Sequence, residues 1–578
     1  MKRIYPALFA LTLCFEAANA GNTMPGTRGY DLSRQSDLRQ YKHKYQLTLN
    51  KSLAFGKIKC VSRKIPVGSK FELSFPLDAV YTNPFDPEEI KVDAQITCPN
   101  SQKINHPIFF FSEFKYDVNK KQWAEARGAS GWKLRFSPSQ TGTYKVTLTA
   151  KDKSGKKSVN AGNFVAVGSN WPGRIRVSKQ NPFVLEFANE KPYYPLGPNI
   201  PLWGGTVKEY ARHNLGLFLD RMQMVATAGG NYTRLRADSY FQAIELPSLP
   251  KSGFLGHGWY NQARCYEIDR IFAAAERLGI RIQYCIYNSN IIVGQHAARD
   301  WARPFCLTLK ENGGPCDDAK GFWKSEKMRQ LTQKRLRYIV ARWGYSSALL
   351  AWEFFNETEL SSTESLAWHK QMSKFLRKID PYKHLITTST HKVNQKNAKA
   401  WNLKDIDMVQ THLYGGIHNN VLAIKELIVS ERGYVRKPYL LGEWGIAAGK
   451  ENNDYQKKDP EGVSMHNAIW SMAMNGGSGI SSWYIANLEK YNLYKHYKTF
   501  SKWGRDVPWN RLRKKLKISN IMLSGAHKRY SDTTFTGVNP DKFSKSPKTI
   551  FTVSSENGKV SDLLYLQNCL HAQAGRKT

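Results

Sequence analysis

The run Ala351-Trp352-Glu353-Phe354-Phe355-Asn356-Glu357 is apolar, rich in aromatic rings, and ends in a carboxyl group. Leu349 to Asn356 has the length and composition of a strand buried on both faces, as strands of parallel sheets are. A second run, Pro438-Tyr439-Leu440-Leu441-Gly442-Glu443, has the same character and the same ending. From Pro192 onward such runs alternate with helical patterns. The predicted strands are Tyr194 to Asn199, Tyr232 to Arg236, Ile280 to Tyr287, Leu349 to Asn356, Leu385 to Ser389, Met408 to Tyr414, Tyr439 to Glu443 and Gly479 to Tyr484. Between them, Cys265, Ile268, Phe272, Ala275 and Leu278 share one helix face before Gly279, and Met328, Leu331, Leu336, Ile339 and Val340 share another before Trp343-Gly344.

Eight strand-helix units in about 310 residues fit a (β/α)8 TIM barrel, an α/β fold. An open doubly wound sheet would usually carry a glycine-rich phosphate loop after its first strand, and none is found here.

Upstream, from Phe55 to Val167, only strand signals occur. Lys70 to Phe75, Trp132 to Phe136 and Tyr144 to Thr149 alternate apolar and polar residues, separated by turns such as Asp152-Lys153-Ser154-Gly155. Short alternating strands at regular spacing predict an immunoglobulin-like β-sandwich. At the amino terminus, Lys2 and Arg3, the apolar Ala7 to Phe15 and Ala18-Asn19-Ala20 have the layout of an export signal. The expected organisation is a signal peptide over 1–20, a polar linker over 21–50, the sandwich over 51–170, the barrel over 171–508 and a basic appendage over 509–578. Strands are expected in that appendage at Thr549 to Val553 and Leu563 to Leu566. The expected location is outside the cytoplasm, secreted or periplasmic, with no membrane insertion; the oligomeric state is left open.

Lys and Arg number 85 against 47 Asp and Glu, a net charge of +38. Such an excess attracts polyanions. In an exported carbohydrate-active chain the polyanion would be a sulfated or uronate-bearing polysaccharide; no nucleic-acid recognition motif accompanies the charge. Of 8 cysteines, Cys14 lies in the signal, so an odd number remains. Cys306 with Cys316, around Asn312-Gly313-Gly314-Pro315, and Cys60 with Cys98 are candidate disulfides. No Cys/His spacing suggests a metal, and no cofactor motif is present.

In a parallel barrel, the carboxyl ends of the strands form the floor of the active site. Two carboxyl groups facing one another there suffice to hydrolyse a glycosidic bond. The run ending Asn356-Glu357 resembles the acid/base strand of glycoside hydrolase clan A, whose cellulase-like family 5 enzymes end the fourth barrel strand in Asn-Glu. Leu441-Gly442-Glu443-Trp444-Gly445 resembles the clan's nucleophile strand, the seventh. Asn231-Tyr232-Thr233-Arg234 is similar to its second-strand Asn-x-x-Arg, His412-Leu413-Tyr414 to its sixth-strand His-x-Tyr, and Trp483 stands where the clan has an aromatic after the eighth. The sandwich resembles an uncharacterised domain (domain of unknown function 5060) found ahead of such barrels.

The resemblance implies catalytic Glu357 as acid/base and Glu443 as nucleophile. It implies substrate-binding or positioning roles for Asn356, Arg234, His412, Tyr414 and Trp483. Tyr414 is expected to donate to Glu443, and Arg234 to place a cation at the nucleophile. Glu353 is expected to be structural and paired with Arg234 or Arg236, and Glu359 and His391 to be bystanders. The sequons at Asn231 and Asn356 fall on strands and are read as chance matches. The implied activity is retaining cleavage of β-linked polysaccharide. The alternative is a non-catalytic carbohydrate-binding or wall-adhesion protein with a degenerate barrel.

Overall fold

A computed structural model describes residues 52–117, 122–200, 215–237, 242–248, 254–293, 303–358, 360–391, 395–414, 420–446, 459–483, 485–505, 507–511, 548–553 and 563–568. The export signal and polar linker therefore lie outside the described residues. One compact unit draws on Met1–Arg174, Leu202–Leu219 and Leu235–Ile386; the other draws on Ile175–Pro201, Asp220–Arg234 and Thr387–Thr578.

In the first unit, two sheets face each other. One has the strand order Lys64–Pro66, Gly155–Val167, Gly142–Asp152, Lys91–Thr97, Lys103–Pro107; the other runs Lys59–Cys60, Phe71–Phe75, Gln122–Phe136, Phe109–Asp117. Their inward positions are the apolar ones of each alternating strand, as the period of two requires. Phe71 stacks on Phe164 across the two sheets at 3.9 Å, and Phe136 packs against both Tyr144 and Phe164. Beyond the sandwich come the helices Gln262–Leu278 and Glu326–Trp343, capped by Asn261 and Ser325.

Asp269 joins the sandwich to these helices. It accepts from Arg135 at 2.8 Å, Arg342 at 2.8 Å and the Trp343 indole at 2.7 Å. Burial alone would raise its pKa, but the two guanidiniums outweigh it and hold the carboxyl far below the usual range. The second, third and fourth strands of the alternating series (Tyr232–Arg236, Arg281–Asn288, Leu349–Asn356) and Leu385–Thr387 form a four-stranded sheet in that order. Leu349–Asn356 is buried at every position and pairs in parallel with Arg281–Asn288.

The second unit holds a five-stranded, wholly parallel sheet: the first strand (Leu196–Pro198), the eighth (Gly479–Ser482), the seventh (Tyr439–Gly445), the sixth (Val409–Tyr414) and Ser389–Thr390. The fifth predicted strand is thus divided at Thr388, one part in each sheet. A small antiparallel sheet, Ile175–Val177, Leu185–Phe187 and Pro192–Tyr193, was not predicted. The two expected appendage strands pair as an antiparallel hairpin, Lys548–Val553 with Leu563–Asn568.

Neither candidate disulfide is formed: Cys60, Cys98, Cys306 and Cys316 are free thiols. The loop between Cys306 and Cys316 is closed by backbone hydrogen bonds instead, Cys316 to Thr308 at 2.9 Å and Lys310 to Cys316 at 2.8 Å. Among the described residues no helix is long and apolar enough to cross a membrane.

Candidate active site

In the second unit, the sixth and seventh strands run in register from Val409↔Tyr439 to Thr411↔Leu441, and then the register slips, so that His412 faces Glu443 and Tyr414 faces Gly445. The residue skipped is Gly442. A Cβ there would lie 2.3 Å from the Gln410 amide nitrogen, so any larger residue would have to displace that buried side chain. One extra residue in a strand re-aims the side chains beyond it. Here it brings the Glu443 side chain beside His412 and Tyr414, which share a face of their own strand.

Glu443 is 3% exposed and surrounded by donors. The Arg234 guanidinium, also buried, donates to Oε1, and the Tyr414 hydroxyl donates to Oε2. His412 Nδ1 stands 3.5 Å from Oε2. Two lone-pair directions of the carboxylate are therefore fixed by named donors, and a third polar group stands near. Arg234 is itself set by a parallel bridge with Asn199 at the end of the first strand. Asn199 Nδ2 donates to the Gly442 carbonyl and to Ser481 Oγ, both at 2.9 Å, tying the first, seventh and eighth strands together beneath the carboxylate. Sequence reasoning missed Asn199; a polar residue closing the first apolar run was the available signal. Trp483 is half-buried, and its N–H donates to the Trp444 carbonyl at 2.8 Å, joining the ends of the seventh and eighth strands. Asn231 spends its amide on the Tyr194 carbonyl and the Leu196 N–H, both at 3.0 Å, so its sequon is a structural asparagine.

In the first unit, Asn356 is buried at the last position of the fourth strand, and Glu357 comes next, half-buried. Glu357 adopts φ +51°, the left-handed region that residues with a Cβ rarely enter. Ser289 Oγ, on the turn after the third strand, donates to the Glu357 carbonyl and pins this bend. Strain of this kind collects at functional positions. Glu353 is fully buried and accepts from Gln283 Nε2 at 2.8 Å, an amide partner that the sequence did not suggest. His391 is exposed, and Glu359 lies outside the described residues.

No family profile matches the chain, and no curated protein does. Among solved structures, a candidate glycoside hydrolase from Bacteroides vulgatus is similar at 16% identity and TM-score 0.49, over 76% of this chain and 78% of that one. A glycoside hydrolase family 5 mannosidase from Rhizomucor miehei is similar at 16% identity and TM-score 0.41, over 54% of this chain and 85% of that one. A β-glucuronidase from an uncultured Clostridium is similar at 14% identity and TM-score 0.38, over 75% of this chain and 62% of that one.

Proposed function

We propose that this chain is a retaining glycoside hydrolase that cleaves β-linked polysaccharide outside the cytoplasm, on a (β/α)8 barrel closed by the eight strands of the alternating series. The observation that carries the proposal is the cluster around Glu443: a buried carboxylate at the carboxyl end of a parallel strand, oriented by a guanidinium and a phenol.

A glycosyl-enzyme route needs a carboxylate whose lone pair is aimed rather than free to rotate, because attack on the anomeric carbon has one productive line. Arg234 and Tyr414 provide that aim. In the first step Glu443 attacks the anomeric carbon while Glu357 passes its proton to the departing oxygen. In the second, Glu357 takes a proton from water, which displaces Glu443 and releases the sugar with its original anomeric configuration. The proposal requires the two carboxyls to stand about 5–5.5 Å apart during turnover. Asn356 would hydrogen-bond the 2-hydroxyl, and Trp483 would carry a sugar ring on its exposed part. The excess of cationic side chains favours an anionic polymer as substrate.

The test is stereochemical. Proton NMR of the first product from a β-glycoside substrate would show the β-anomer building up before mutarotation. First formation of the α-anomer would contradict the double displacement, and no cleavage of sulfated, uronate or neutral glycans would support the adhesion alternative.

A further inference from the structure

We propose that the solvent face of the five-stranded sheet in the sandwich is a binding surface for anionic polysaccharide; the choice of a glycan, rather than another polyanion, rests on the hydrolase reading above.

Pairing registers place three lysines side by side across this sheet: Lys91 opposite Lys151, and Lys151 opposite Lys156. All three are exposed. Six residues along the central strand, about 20 Å at the rise of an extended chain, stands Lys145. It faces Thr97, which in turn faces Lys103. Neighbouring strands lie about 4.8 Å apart, so each lysine group spans about 10 Å.

Like charges directly opposite one another oppose strand pairing. The arrangement is therefore unfavourable for the sheet by itself, and an anion laid across it removes the cost. Asp93 is the one acidic residue among the outward positions of these four strands. Its carboxylate accepts from Arg337 at 2.6 Å and stands 3.8 Å from the Lys91 ammonium, so its charge is spent at one corner of the face and not on Lys145, Lys151 or Lys156.

Between the lysine groups lie hydroxyls and amides: Thr147, Thr149, Ser158 and Asn160, with Thr149 Oγ1 2.9 Å from Ser158 Oγ. A flat strip of hydroxyl and amide groups between two cationic bands matches a chain of hydroxylated rings bearing carboxylates or sulfates. No outward position of the four strands is an aromatic or an arginine. These strands therefore offer no stacking platform and no bidentate fork of their own, and the neighbouring Arg337 and Arg63 are engaged by Asp93 and by strand carbonyls.

The experiment uses the full chain and its triple variant Lys91→Gln/Lys151→Gln/Lys156→Gln. A control, Lys370→Gln/Lys374→Gln/Lys378→Gln, changes the net charge equally on the exposed side of the helix Thr363–Ile379. Affinity electrophoresis in gels containing dextran sulfate, polygalacturonate or neutral dextran reads binding. Because each lost phosphate-like contact removes released counterions, the sheet variant should bind the two anionic polymers about tenfold more weakly, with a shallower salt dependence, while the control changes less than about twofold. Equal losses in both variants, or none in the sheet variant, would overturn the proposal. Duplex DNA bound as tightly as dextran sulfate, and lost through the same three lysines, would also overturn it. Hydrolysis of a small neutral aryl β-glycoside separates the two readings. Sheet-dependent binding with no hydrolysis in any form of the protein leaves this surface standing and removes the hydrolase; hydrolysis with no sheet-dependent binding does the reverse.

Discussion

Arg234 donates to Glu443 from a side chain with 0% exposure to one with 4%. Two charges held this far from water depend on each other and on the polar groups around them, the Tyr414 hydroxyl and His412 among these. Removing one leaves the other stranded, which typically costs 3–5 kcal/mol. Arg234→Met should therefore lower the unfolding free energy by about 3 kcal/mol and abolish turnover. The double variant Arg234→Met/Glu443→Gln should recover part of the stability and none of the activity. Denaturant melts of the four corners of this cycle give the coupling, expected at about 2 kcal/mol; a value near zero would mean that the pair is not a unit.

Tyr414→Phe deletes one hydroxyl and leaves the ring. A hydrogen bond to a charged group contributes about 1.5–3 kcal/mol, so kcat should fall by roughly 10- to 100-fold while the thermal midpoint moves by only a few degrees. A fall in kcat/KM through KM alone would instead make Tyr414 a substrate-binding group.

The left-handed backbone at Glu357 separates its fold role from its chemical one. Glycine enters that region freely, whereas a residue with a Cβ gives up about 1 kcal/mol there. Glu357→Gly should match or exceed the stability of the native chain and yet lose hydrolysis of substrates with poor leaving groups. With an activated aryl glycoside, azide should restore turnover and appear in the product as a β-glycosyl azide. Destabilisation by this substitution would show that the Glu357 carboxyl has a structural task.

Glu431 lies on the helix Asn420–Tyr434, fully buried, with no hydrogen-bond partner for either carboxyl oxygen. Burial pushes its pKa up to about 8, against the smaller pull of Arg432. The folded pKa is raised above the unfolded value near 4.3. The stability gained by binding the proton is whole below that value and is lost as pH rises toward about 8. Glu431→Gln should therefore raise the melting temperature at pH 9, by the equivalent of roughly 2 kcal/mol, and change it little at pH 5. An equal change at both pH values would exclude ionisation as the cause.

The fourth and seventh strands were legible because their apolar runs are continuous and bounded, and the carboxyl that ends each is easily read. Tyr414 and Arg234 were singled out through the resemblance of their strands to the clan's His-x-Tyr and Asn-x-x-Arg motifs. Other features have no signature in a one-dimensional pattern. The register slip at Gly442 depends on the Gln410 amide across the strand, and the left-handed turn at Glu357 depends on Ser289, which lies after a different strand. Asn199 acts through backbone and hydroxyl partners distant in sequence, so its place at the end of the first apolar run marks it as polar without disclosing its task. The sheet at Ile175–Tyr193 escaped because its strands are two or three residues long, shorter than any periodicity can register. The Cys306 and Cys316 pairing was suggested by a loop that backbone hydrogen bonds already close.

The central claim is that Glu443 forms a covalent bond to sugar. A 2-deoxy-2-fluoro β-glycoside with an activated leaving group should inactivate the enzyme with one equivalent bound. Proteolysis and mass spectrometry should then place the sugar on Glu443, with Glu443→Gln unlabelled. Label found on Glu357 or any other residue, or inactivation without a covalent adduct, would contradict the account.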